Sequence, residues 1–213
     1  TAEDDGLFFR TSPSDAREGQ VMTDILMEEG IKSVALTYTN NDYGKGLADA
    51  FISSFEAAGG SITVNISHED GKADYSSEVG TLASAGGDIL VVAGYLDQGG
   101  RGIIEGSLDS GAWDRFVLPG GMIGDNILTI GDGLNGSFGQ IAGTDGAGMQ
   151  TFSAMATEAG FDGTSPYTPE SYDAAALIMF AMQAAGSSAS ADIKDHIFDV
   201  ANAPGEQIFP GEL

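Results

Sequence analysis

Four short apolar runs recur along the first 120 positions, and a stretch of helically spaced oily side chains separates each from the next. The runs fall at residues 33–38, 62–66, 89–93 and 116–118, and their length suits strands. Helical spacing covers residues 14–29, with Ser14 or Asp15 as cap, and then residues 43–58, 75–85 and 98–110. The pairs Gly59-Gly60 and Gly86-Gly87 stand at helix ends, where the chain turns through positive φ. The strand runs are continuously apolar rather than alternating, which predicts a parallel sheet buried on both faces. Repeated βα units predict an α/β fold with an open, doubly wound sheet. In such sheets ligands bind beyond the carboxyl ends of the strands.

After about residue 136 the rhythm changes. Residues 137–143 read as one more strand. A glycine-rich turn follows, then helices near residues 149–159, 170–185 and 191–201. Three helices with no strand between them do not extend the sheet. They either cover it or belong to another lobe.

Composition narrows the function classes. The chain has 213 residues, enough for one large domain or two small ones. Its net charge of −24 comes from 32 acidic and 8 basic residues, a surface that repels nucleic acid and anionic membrane. No run approaches the ~18 unbroken apolar residues of a membrane span. The absence of cysteine excludes disulfides and thiolate chemistry. The first residues, Thr1 to Asp5, are neither basic nor apolar and do not read as a signal peptide.

The candidate chemistry is sparse. "TYTNNDYGKGLADAF", residues 37–51, joins the polar end of a strand to a helix. Its asparagines, aspartate, tyrosine and glycines leave four readings open: a phosphate, a metal, a small organic ligand, or no ligand. "GDGLNG", residues 131–136, matches G-x-G-x-x-G, but an extended segment follows it instead of a helix, so it reads as a loop. His68 and His196 are far apart and lack metal spacing, and each is expected to be an exposed polar residue. No G-x-S-x-G element and no Walker sequence occurs. Tyr43 and Tyr95 each follow a predicted strand at the start of the next helix, which puts both on one rim. A tyrosine there offers a flat apolar face and a hydroxyl donor, and nearby helix N-termini suit an anionic group. Both can equally be packing residues at a strand end.

These stretches also occur in a familiar order. "FFRTSPSDAREGQ", "VALTYTNNDYGKGLADAF", "DYSSEV", "DILVVAGY", "LPGGMIGD" and "SYDAAALIMFAMQAAGS" together span nearly the whole chain. The series resembles the periplasmic substrate-binding proteins of ABC importers, of the leucine/isoleucine/valine-binding type. The resemblance implies a type I periplasmic binding fold: two doubly wound lobes closing on a small molecule. It further implies that residues 12–142 form the second lobe and that residues 145–213 return to the first, which would be incomplete. Such proteins are longer than 213 residues, so the chain is expected to be a fragment.

Residue by residue, the resemblance implies ligand-binding roles for Tyr43 and Tyr95 as second-lobe tyrosines that close over an amino acid. Tyr167 matches a side-chain pocket position. Gly120 stands where relatives that bind α-amino acids place an acid. Unless Asp125 or another acid reaches in, an ammonium group buried there would go unpaired, at a cost of several kcal/mol. Amides, keto acids and aromatic acids are therefore expected beside amino acids. The implied function is non-catalytic capture of a small polar solute in the periplasm, with no cofactor and no metal. The implied partners are the solute and the ABC permease subunits, not nucleic acid or lipid. A sensor that reports the same solute to a membrane partner is the alternative.

Overall fold

The computed structural model describes residues 4–143 and 146–212, with only the backbone of Asp125. The chain divides into two compact units. One is Ser14–Ile141. The other joins the residues up to Pro13 to those from Ala142 onward.

The Ser14–Ile141 unit alternates strand and helix in the order α1 (Asp15–Glu28), β1 (Ser33–Thr39), α2 (Asp42–Ala57), β2 (Ser61–His68), α3 (Ser76–Ala85), β3 (Ile89–Ala93), α4 (Arg101–Ser110), β4 (Phe116–Leu118) and β5 (Phe138–Gly139). All the pairings are parallel, in the order β2-β1-β3-β4-β5. The inner strands β1, β3 and β4 are buried almost throughout, as their continuous apolar runs predict. Edge strand β2 instead alternates exposed and half-buried positions until it reaches His68. Asp88 ties the strand starts together, because its Oδ2 accepts the N–H groups of Lys32 and Ser33, each at 2.9 Å.

Period-two alternation along the strands sorts the core into two layers. Val34, Leu36, Ile89, Val91 and Ala93 pack with Met22, Leu26, Leu47, Phe51 and Phe55 of α1 and α2. Ala35, Leu90, Val92 and Leu118 pack with Val79, Leu82, Ile103 and Ile104 of α3 and α4. Gly19 lets α1 approach α2, since a Cβ there would lie 2.8 Å from the Phe51 nitrogen.

Several boundaries differ from the sequence reading. Residues 96–100 form an irregular turn with Gly99 at φ +92°, so the regular helix α4 begins only at Arg101. Strand β5 is two residues long instead of seven. The "GDGLNG" stretch lies at the end of a series of tight 3₁₀ turns over Asp125–Leu134, broken at Gly131. The other unit is helical: α5 (Gly148–Ala159), α6 (Thr168–Ala185), α7 (Ser190–Lys194) and α8 (Ile197–Ala201). The single helix expected near 191–201 is thus two short ones. Thr11 Oγ1 donates to the Glu170 carbonyl at 2.9 Å, and Phe9 packs edge-on against Phe198, which fastens the leading residues to these helices.

Candidate functional site

The sheet order has one reversal. From β1 the chain moves to β2 on one side and then returns to β3 on the other. The crevice beyond the carboxyl ends of β1 and β3 is therefore the switch point where open α/β sheets hold ligands. Tyr43 leaves from β1 in the first turn of α2, and Tyr95 follows β3. Their ring centroids are 4.9 Å apart with 40° between the planes. Tyr43 is half-buried and Tyr95 is 39% exposed.

A glycine loop completes this rim. Pro119-Gly120-Gly121 follows β4. A Cβ at Gly121 would overlap the Gly94 carbonyl and lie 3.0 Å from Tyr95 Cδ1 and 3.1 Å from Tyr43 Cε1. Only a glycine lets the β4 loop sit this close to both rings.

Gly120 itself carries no charge, but an acid reaches it. The Gly120 N–H donates to Glu18 Oε1 of α1 at 2.7 Å. Gln140 Nε2 donates to the Glu18 carbonyl at 2.9 Å, so β5's trailing residue holds the same turn of α1. Burial pushes the Glu18 carboxyl above its ordinary value, and nearby Asp15 adds to this, while the Gly120 and Gln140 bonds oppose it. Sequence reading missed Glu18, since it lies 102 residues from Gly120. Asp125, the acid considered instead, has a side chain outside the described residues.

Beneath the rim lies a buried polar cluster. Thr37 and Thr39 face the same side of β1, toward the last residue of β2, His68. Thr37 Oγ1 lies 2.8 Å from His68 Nδ1, and Thr39 Oγ1 lies 3.1 Å from Nε2. Thr39 Oγ1 also accepts the Tyr95 N–H at 3.2 Å and donates to the Gln98 carbonyl at 3.2 Å. Asn41 Nδ2 donates to Gln98 Oε1 at 3.1 Å, while Asn41 Oδ1 caps α2 by accepting the Gly44 N–H at 2.8 Å. Desolvation lowers the His68 pKa to about 4, against a smaller upward pull from Glu78 and Glu69. His68 is 1% exposed, which overturns the expectation of an exposed histidine. The apolar alternation of β2 ends on it, and the two threonines opposite satisfy its ring. His196 is half-buried at the start of α8, so it too is not fully exposed.

Tyr167 belongs to the other unit. It is 47% exposed and takes a left-handed φ of +65° immediately before α6. An open recess of about 600 Å³ lies between α3 and α4, lined by Tyr75, Val79, Gly80, Gly102 and Gly106 among others, and no rim tyrosine borders it. No group of three or more metal-ligating side chains occurs among the described residues. No described helix is long and apolar enough to cross a membrane.

A five-stranded parallel sheet flanked by helices defines an open, doubly wound α/β fold. Residues 2–200 match the family model described as periplasmic binding protein, and the chain belongs to that family. The chain is 34% identical over 113 residues to the Leu/Ile/Val-binding protein homolog 3 of Brucella melitensis, covering 53% of this chain and 30% of that one. It is 26% identical over 185 residues to homolog 1 of Brucella abortus, covering 84% and 49%. Among solved structures, the leucine-binding protein LivK of Thermotoga maritima superposes with a TM-score of 0.77 at 21% identity, over 88% of this chain and 55% of that one. A solute-binding protein of R. palustris in complex with benzoate gives 0.72 at 19% identity, over 92% and 54%. The chain thus spans about half the length of these relatives or less. The solved structures establish its fold as that of type I periplasmic binding proteins.

Proposed function

We propose that this chain is the ligand-closing part of a periplasmic solute-binding protein that serves an ABC permease. Its solute is a small amino acid with an apolar side chain. The observation that carries the reading is the Tyr43–Tyr95 pair at the sheet's switch point, closed off by Gly121. In this reading the Ser14–Ile141 unit is the second lobe, and the segment from Ala142 returns to the first. The two rings cover the solute's apolar body. Glu18, which accepts the N–H of Gly120 beside Gly121, supplies the negative charge that an ammonium group requires. The names of the Brucella relatives and of the Thermotoga structure support an amino-acid solute, while the benzoate complex keeps carboxylates without an amine in contention.

The test is calorimetry of the full-length protein with L-leucine, its keto acid 4-methyl-2-oxopentanoate, and benzoate. L-leucine is expected to bind, and Tyr43→Ala to abolish binding. Glu18→Gln is expected to weaken L-leucine at least about tenfold while leaving any keto-acid binding unchanged. Binding of the keto acid or benzoate alone would overturn the amino-acid reading. No binding of any member by the full-length protein would count against solute capture of this class.

A further inference from the structure

The two tyrosines leave from different strands, yet a single hydroxyl stands between their loops. Thr39 Oγ1 touches the Tyr95 N–H, the Gln98 carbonyl and His68 Nε2 at once. A threonine hydroxyl has one hydrogen and two lone pairs. An amide N–H only donates, so one lone pair goes to Tyr95. A carbonyl only accepts, so the hydrogen goes to Gln98. The remaining lone pair can only accept, which requires that His68 Nε2 carry a hydrogen. In a neutral ring Nδ1 is then bare, and the Thr37 hydroxyl donates to it across 2.8 Å. This is the one proton arrangement in which all five groups are satisfied. The other tautomer deprives the Gln98 carbonyl of the Thr39 hydrogen.

The ring is clamped as well as bonded. A Cβ at Gly99 would lie 2.8 Å from His68 Cδ2 and 2.9 Å from the Tyr75 hydroxyl, so the turn after Tyr95 packs directly on the imidazole. That turn is strained toward glycine, with φ +92° at Gly99. From Gln98 the network continues through Asn41 to the first turn of α2, which carries Tyr43.

We propose that His68 and Thr39 are positioning residues for the tyrosine rim: the Nε2–H tautomer of His68 fixes the Thr39 hydroxyl, which sets the Tyr95 and Tyr43 loops as one unit. This rests on the reading that the rim faces the solute. Neither residue need touch that solute. The network differs from a merely structural polar cluster because its bonds run to the two loops that carry the rings. A buried histidine satisfied only within the core would leave both rings indifferent to the Thr39 hydroxyl.

The experiment uses the full-length protein labelled with 3-fluorotyrosine, with ¹⁹F signals assigned by Tyr43→Phe and Tyr95→Phe. The imidazole tautomer is read from ¹⁵N shifts of His68. The Nε2–H form is expected. Thr39→Val, which keeps the shape but loses the hydroxyl, is expected to move or broaden both rim signals, and Thr39→Ser to leave them in place. Gln98→Ala, at a partly exposed site where folding is not at risk, is expected to move the Tyr43 signal. L-leucine is the binding probe: Thr39→Val should weaken it about tenfold, with Thr39→Ser within about twofold of the parent. An Nδ1–H tautomer, or rim signals unmoved in both Thr39→Val and Gln98→Ala, would overturn the proposal. If Thr39→Val fails to fold, the tautomer and Gln98→Ala decide. If the parent protein does not bind L-leucine, the amino-acid reading fails while the fluorine and nitrogen signals still judge the network.

Discussion

His68 and Glu18 sit about the same rim with opposite displacements. Desolvation disfavours the charged form in both, so it lowers the histidine and raises the carboxyl. For His68 the folded value is about 4 against an ordinary 6.5. The unfolded chain therefore binds more protons between these values. Its contribution is fully present above pH ~6.5 and is lost as pH falls toward 4, by an amount on the order of 3 kcal/mol. Urea melts across that window should show the loss, and His68→Gln should remove this component of it. Glu18 has the reverse sign. Its raised value means that ionisation opposes folding at neutral pH and that the penalty disappears as pH drops through the folded value. Glu18→Gln is therefore expected to leave stability equal or higher at pH 7 while weakening an ammonium-bearing solute, a pairing that melting and calorimetry on one sample can check. Gly121→Ala should act through geometry instead. The added methyl meets both rings and the Gly94 backbone, so solute affinity should fall by more than an order of magnitude.

At the scale of elements, helix α2 shows how a cap becomes part of a site. Asn41 caps it and also reaches Gln98, so Asn41→Ala should cost about 1 kcal/mol of cap energy and loosen the rim as well. Gly44→Ala should cost more, because its Cβ would overlap the Thr39 carbonyl. Chemical denaturation ranks the two. Much of this element level was legible in the sequence. The uninterrupted apolar runs at Val34–Leu36 and Ile89–Ala93 match strands buried on both faces. The positions of Tyr43 and Tyr95 at strand ends led to a pair of rings now seen in contact. What was not legible depends on tertiary contact. The Glu18–Gly120 bond joins residues 102 apart, and nothing local marks it. In the sequence His68 is a lone histidine without metal spacing, two residues past the 62–66 run, and only the facing threonines of β1 reveal a buried strand end. Strand β5 was overextended because Ser137 to Gly143 has strand-like composition, whereas β4 offers only a short stretch to pair with.

The whole molecule adds charge. With 32 acidic residues and 8 basic ones, the folded surface repels itself, and ions between the charges relieve this. The melting temperature is expected to rise from low to moderate salt, whatever the anion. Solute linkage acts separately: a ligand at a hundred times its Kd adds about 2.7 kcal/mol, which thermal shift of the full-length protein would register.

On the proposed reading that the rim meets a solute, the shared hydroxyl of Thr39 also bears on how specificity changes. Three strands converge on the rim, but the rings themselves hang from the first turn of α2 and the turn after β3, while the groups that aim them lie on β1 and at the end of β2 in the core. Aim and contact are thus encoded at different addresses. A lineage can exchange the side chains at 43 and 95 and meet new solutes without renegotiating the frame, whereas a change at 37, 39 or 68 disturbs every solute alike. For an engineer this separates the positions to randomise from those to hold fixed. A library varied at 43 and 95 should stay largely folded and diverse in what it binds, and one varied at 37, 39 and 68 should lose both.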